Sequence, residues 1–198
     1  LLASILDQAL YYTTQALIAA AVALVGYIAV KVKAFVDKKS KDIDVEKVSF
    51  VDERINEYLW SLRDRLDAAR VYISKFHNGD HYVDGSEVLK KTRTHETVKH
   101  GLRYQREEYK AMPISRVPDE MKLVREPGAS FVLVKDLPRG NFKWLCMEGG
   151  AEAVARCALR KNGLMIGFLG VDFDREEPPT EEQLMLICEI ASRVEQLM

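Results

Sequence analysis

Polar and hydrophobic positions change their spacing several times along this chain, and each change predicts a new element. From Gln8 to Val30 there are 23 consecutive residues without a charge, continuously apolar from Ala16 onward. As a helix this run would be about 34 Å long, enough to cross the hydrocarbon layer of a bilayer. Thr13, Thr14 and Gln15 weaken its first third, which leaves a buried core helix as the alternative. Because Thr and Gln can hydrogen-bond to a neighbouring helix in lipid, the run is read as a transmembrane anchor. Ala19, Ala21, Ala23 and Gly26 would let a second helix approach closely, so self-association of the span is expected.

After a charged segment from Lys31 to Asp44, the period becomes helical in a different way. Val48, Val51, Ile55, Leu59 or Tyr58, Leu62 and Leu66 step by three or four residues behind the capping residue Asp44, predicting an amphipathic helix. Its stripe must be buried, on the domain's own sheet or in a coiled-coil-like seam with a second copy. Arg70 to Phe76 (RVYISKF) then alternates as a strand and is predicted to stop at the turn His77-Asn78-Gly79-Asp80. Leu89 to Val98 reads as a charged edge strand. GLRYQREEYKAM, beginning at Gly101, reads as a helix ended by Pro113, with a second short helix opening at Pro118. Long irregular segments of this kind often close over a site.

The C-terminal third carries the sharpest signals. A strand over 129–134 and a short amphipathic piece, FKWLCM, lead to two strands, Ala153 to Leu159 and Leu164 to Phe173. Asn162-Gly163 between them supplies the positive φ angles of a tight hairpin. Thr180 and Gln183 form a capping box before a final amphipathic helix, which places Leu184, Ile187, Ile190, Ala191, Val194 and Leu197 on one face. That helix is expected beside the one over 48–66.

Charge fixes the orientation. Asp7 is the only charge before the apolar run, whereas Lys31, Lys33, Lys38, Lys39 and Lys41 follow it, so the C-terminal side is expected in the cytosol of a single-pass membrane protein. Those lysines can also touch anionic lipid headgroups, but such a run more often serves simply as the stop signal for insertion, the reading favoured here. A cleaved leader fits less well, since no basic residue precedes the run. All 29 basic residues and 29 of the 30 acidic ones lie at or after Lys31, so the remainder is formally neutral, which argues against nucleic acid as a partner. The composition, 47% hydrophobic and 30% charged, is that of a globular chain. The expected organisation is an anchor over 1–30, a basic linker over 31–47 and one domain over 48–198. Cys146, Cys157 and Cys188 match neither a disulfide framework nor a zinc pattern and read as reduced thiols.

The order of these elements, with the pieces ARVYISKFHNG, AVARCALRKNGLMIGFLGVDFD and PPTEEQLMLICEIASRVEQL, resembles a GAF domain, the small sensor module related to PAS domains. The resemblance spans about residues 46 to 198. It implies an α/β (α+β) fold: a central antiparallel sheet with the terminal helices on one face and a pocket or lid on the other, here preceded by a single transmembrane helix. GAF domains bind small molecules such as cyclic nucleotides, bilins, haem or oxo acids, or serve as dimerising spacers. No bilin-type cysteine is matched here, and no cofactor is identified. A single such domain behind one span, with Phe-His-Asn-Gly ending the first strand, is also similar to predicted membrane proteins encoded by tailed phages.

The candidate chemistry is that of binding. His77, Asp80 and His81 could ligate a metal by type, but so tight a spacing seldom converges on one ion, and no metal is expected. A ligand pocket would be walled by Phe76, Asn78 and Tyr82 near the first strand, Thr92 and Thr94 in the second, Trp144 in the lid, and Arg156 with Cys157 in the penultimate strand. Arg156 is the most telling, because an arginine inside a central strand must meet a carboxylate from the protein or from a ligand. No G-x-S-x-G elbow, phosphate loop or H-E-x-x-H motif occurs, and no enzyme is expected. The function expected is a membrane-anchored, self-associating domain that binds a small ligand or a protein partner. The alternative is a structural subunit of a larger membrane or virion assembly.

Overall fold

The structure is a computed structural model that describes residues 2–41, 44–82 and 84–198. Residues 42 and 43, within the basic linker expected over 31–47, lie outside the described residues. Two compact units are present, residues 1–48 and 49–198.

In the first unit, helix α1 runs over Leu2–Lys41. Within it, Thr13–Ala34 is long and apolar enough to cross a membrane. Its described side chains are bare, with Leu17 71% and Val25 67% exposed. An apolar surface of this extent calls for lipid or a partner to cover it.

The second unit is built on one antiparallel sheet. Helix α2 (Val45–Leu66) starts where Asp44 Oδ1 accepts a hydrogen bond from Lys47 N at 3.0 Å, the cap expected there. Ile55, Leu59, Leu62 and Leu66 are buried, whereas Val45, Val48 and Phe50 are exposed. The strands are β1 (Arg70–His81), β2 (Glu87–Val98), β3 (Met112–Pro113), β4 (Ala129–Leu133), β5 (Ala153–Lys161) and β6 (Leu164–Phe173), in the order β3-β2-β1-β6-β5-β4. Helices α3 (Pro118–Arg125) and α4 (Asn141–Glu148) cross one face. Helix α5 (Glu181–Leu197) joins α2 on the other. The capping box forms as expected, Gln183 N donating to Thr180 Oγ1 and Thr180 N to Gln183 Oε1. At the β5–β6 turn Asn162 and Gly163 both take positive φ, 53° and 79°.

Two expectations fail for identifiable reasons. His77-Asn78-Gly79-Asp80 is not a turn: β1 continues to His81, and β2 opens at Glu87, just after Asp84 accepts from both N and Oγ of Ser86. Gly79 serves close approach instead, since a Cβ there would lie 2.5 Å from the Val88 carbonyl oxygen. The segment after Gly101 is not a helix either. Its backbone is tied to β2, with Arg93 N donating to Tyr109 O and Ala111 N to Thr92 Oγ1, and β3 then covers part of what was read as a bare edge.

The two faces of the sheet differ in kind. Toward α2 and α5 it presents Val71, Ile73, Ala155, Leu159, Leu169 and Val171, an apolar core closed by Leu59, Leu62, Ile187 and Val194. Each such large side chain contributes about 1.5–3 kcal/mol when fully buried. Toward α3, α4 and the 99–111 segment, which together form a lid, the strands present buried charged side chains set among Tyr72, Val154 and Phe168.

Candidate functional site

Register explains how the charge is gathered. Opposite each other on the lid face lie Arg70 and Asp172, Tyr72 and Gly170, and Ser74 and Phe168, across the β1–β6 pair. On the far side of β1, Tyr72 faces Glu96, Ser74 faces Arg93 and Phe76 faces Lys91. Arg156 of β5 faces Gly170. Simple alternation would put residues 93 and 96 on opposite faces. A bulge at Thr94, where the register slips between Ile73 and Ser74, turns both inward.

The result is a buried ionic cluster. Arg156 Nε lies 3.0 Å from Glu120 Oε1 and its Nη1 lies 2.9 Å from Asp172 Oδ1. Glu120, carried down by α3, also meets Lys91 Nζ through its second oxygen. Glu96 Oε1 is shared by Arg93 Nη1 at 2.6 Å and Arg70 Nε at 3.0 Å, and its Oε2 accepts from Gln105 N. The Arg93 guanidinium stacks between two rings, 3.6 Å above Tyr72 and 4.0 Å from Tyr109. None of these ionic residues is more than 8% exposed.

Among the described residues this places four buried cations, Arg70, Lys91, Arg93 and Arg156, against three carboxylates, Glu96, Glu120 and Asp172. An unbalanced charge in so dry a setting is costly. The titration behaviour reflects this. Burial pulls the Lys91 ammonium below its ordinary pKa, against the attraction of Glu120. Burial pushes Glu120 up, but Lys91 and Arg156 outweigh it and hold the carboxyl below its usual range. Burial also drives the Tyr72 hydroxyl well above its usual pKa. Two polar atoms here, Ser74 Oγ and Arg93 Nε, have no hydrogen-bond partner among the described residues. Arg70 Nε is paired with Glu96 by charge, without the alignment of a hydrogen bond. At the Arg70 end, a cavity of about 330 Å³ opens to the surface between Gly101, Arg103, Gly149 and Gly150.

The sequence candidates are dispersed around this cluster. Arg156 is at its centre, and its carboxylate partners are Glu120 and Asp172. Phe76 sits beside it against Phe168, ring centroids 6.0 Å apart. Cys157, next along β5, necessarily faces the opposite way and lies in the helix-side core, its Sγ 3.9 Å from that of Cys188. Thr92 Oγ1 is held by Ala111 N and His77 Nε2, and Thr94 borders a cleft on the helix side. Asn78 and Tyr82 are exposed near the tip of the β1–β2 hairpin, and Trp144 is exposed on α4. His77 is engaged with Thr92, while the Asp80 side chain lies outside the described residues. No group of three metal-ligating side chains converges among the described residues. Sequence reasoning missed Arg70, Lys91, Arg93, Glu96, Glu120 and Asp172. The available signal was a strand, LKKTRTHETV, too rich in charge for one that is largely buried.

No family model matches the chain, and no curated protein is significantly similar to it. Solved structures do match. The GAF domain of PixJ from Thermosynechococcus elongatus, crystallised in its blue-light-absorbing form, superposes with a TM-score of 0.58 at 15% identity, covering 78% of this chain and 90% of that one. A GAF domain/HD domain protein from Geobacter sulfurreducens gives 0.55 at 15% identity over 74% and 90%. A phycoerythrobilin-bound GAF domain from a cyanobacterial phytochrome gives 0.54 at 16% identity over 74% and 84%. At these identities the likeness speaks for architecture alone, and the architecture is that of a GAF domain.

Proposed function

We propose that this protein is a membrane-anchored, non-catalytic binding module in which α1 crosses the bilayer and the GAF-fold unit, on the cytosolic side, holds a small anionic ligand beneath its lid. The observation that carries this reading is the cluster's surplus of one buried cation over carboxylates. An anion arriving beside Arg70 would balance that charge. The 330 Å³ cavity is lined by the buried Arg70 and the exposed Arg103, so an entering anion meets cations at both depths. Solved domains of the same architecture include bilin-bound ones, which supports a binding role without naming the ligand here. Self-association is supported by two bare apolar surfaces, the small-residue stripe of α1 and Val45, Val48 and Phe50 of α2.

Native mass spectrometry of the full chain released from membranes in mild detergent tests this. Homo-oligomers retaining a small anion are expected. A ligand-free species that gains no thermal stability from phosphate or carboxylates, at matched ionic strength, would overturn the ligand reading. That outcome would favour the second one, a structural subunit of a larger membrane or virion assembly. One observation supports that alternative: Arg156 already has protein carboxylates on both sides.

A further inference from the structure

An open cleft of about 500 Å³ runs along the helix side of the sheet, with Glu96 of the ionic cluster on its border. Its floor is His95, which pairs with Ile73 of the helix-side core, and Lys75, two residues further along β1. The flank of α2 supplies Asp52 and Trp60, and the segment after β2 supplies Tyr104 and Arg106.

Three features of this cleft point to a ligand. Two large rings stand in it uncovered, Trp60 54% and Tyr104 63% exposed. Two cations border it, Lys75 and Arg106, and neither pairs with a carboxylate among the described residues. The carboxylates at hand are already engaged. Asp52 Oδ1 meets His95 Nε2 at 3.0 Å, and Glu96 is turned inward to Arg70 and Arg93. His95 also bonds Thr94 Oγ1 through Nδ1, so both ring nitrogens are used in holding the floor. Burial lowers the His95 pKa, against Asp52, and the charges of Lys75 and Arg106 press the same way, which places both cations within electrostatic reach of one spot.

We infer that this cleft binds a planar ring carrying an anionic group, the ring lying on Trp60 and Tyr104 and the anion on Lys75 and Arg106. Aromatic faces take flat π-systems, and paired cations at the edge of a low-dielectric wall take carboxylates or phosphates. Two sources supply this chemistry, a nucleoside monophosphate and an aromatic carboxylate. The site is distinct from the one proposed under the lid, since Trp60, Lys75 and His95 are no part of the ionic cluster, although Glu96 borders both.

The chain has two tryptophans, so Trp144→Phe leaves Trp60 as the sole reporter. The full chain carrying that substitution, in mild detergent, is titrated with AMP, indole-3-carboxylate, ribose 5-phosphate and inorganic phosphate while Trp60 emission is followed. One of the two ring-bearing anions is expected to saturate at least about tenfold more tightly than ribose 5-phosphate. Tighter AMP assigns the phosphate ester, and tighter indole-3-carboxylate the aromatic acid. Lys75→Ala with Arg106→Ala is expected to weaken binding about tenfold or more, and Tyr104→Ala to weaken it independently, with thermal melts unchanged. The inference is overturned if neither ring-bearing anion saturates by about 10 mM. Ribose 5-phosphate binding as well as AMP and indole-3-carboxylate, or both variants binding as the parent does, would overturn it too.

Discussion

Arg156 Nε and Glu120 Oε1 lie 3.0 Å apart, joining the middle of a central strand to the lid helix α3. The same carboxylate holds Lys91 of β2, so one side chain bridges two strands that are not neighbours in the sheet. Removing it leaves an ammonium and a guanidinium facing each other in a dry interior. Glu120→Ala should therefore cost about 3–5 kcal/mol, the usual penalty for breaking a buried pair, read as a drop in the urea midpoint. Glu120→Leu combined with Arg156→Met, which removes charge on both sides, should recover part of that loss. If the two single substitutions instead add with no coupling, the bridge is not what holds the lid.

Acid should release the same bridge. In the folded chain the Glu120 carboxyl is held below its ordinary value of 4.5 by Lys91 and Arg156, which outweigh the opposing effect of burial. The unfolded chain therefore binds the proton first as pH falls. The stability this group contributes is complete above about pH 4.5 and is lost as pH drops through the lower folded value. Urea midpoints measured stepwise from pH 6 to pH 3 should fall, and Glu120→Gln should flatten that part of the profile.

Much of the architecture was legible because local chemistry and tertiary environment agree in it. Asp44, Thr180 with Gln183, and Asn162-Gly163 each specify their own backbone, and the structure uses them as their chemistry dictates. His77-Asn78-Gly79-Asp80 misled because Gly79 answers to a neighbouring strand and not to a turn. The cluster was legible only at Arg156. Its other members, Lys91, Arg93 and Glu96, look like a solvated edge by composition. The bulge at Thr94, which brings 93 and 96 to one face, leaves no mark in the period of the sequence. Glu120 belongs to a short helix whose placement depends on the fold already being formed.

The cysteines should separate by accessibility. Burial pushes the Cys146 thiol up to about 12, and burial with Cys188 beside it does the same for Cys157. Thiolate is the reactive form, so both should resist a disulfide reagent at pH 8 in the folded chain. Cys188, only half-buried, should react first. Labelling followed by peptide mass spectrometry, with and without urea, should find one early site and two that appear on unfolding. Early labelling of Cys146 would mean that the lid opens far more readily than its buried contacts allow.

Gly170 offers a test of how tightly the cluster is assembled. A Cβ at this position of β6 would lie 2.4 Å from Tyr72 Cζ, well inside van der Waals contact. The Tyr72 ring has little freedom to retreat, since the Arg93 guanidinium covers it at 3.6 Å and Phe168 meets it edge-on at 6.2 Å. Gly170→Ala should then destabilise the unit by about 1–3 kcal/mol through overpacking, without touching any charge. The steric origin makes a second expectation. In a Tyr72→Ala background, itself weakened by about 3–5 kcal/mol through the cavity left behind, the same glycine substitution should add almost nothing, because the new methyl group enters the vacated space. A four-member cycle of denaturation curves measures this coupling. An alanine at 170 that costs the same with and without the Tyr72 ring would show that this glycine is required by its backbone instead of its neighbour.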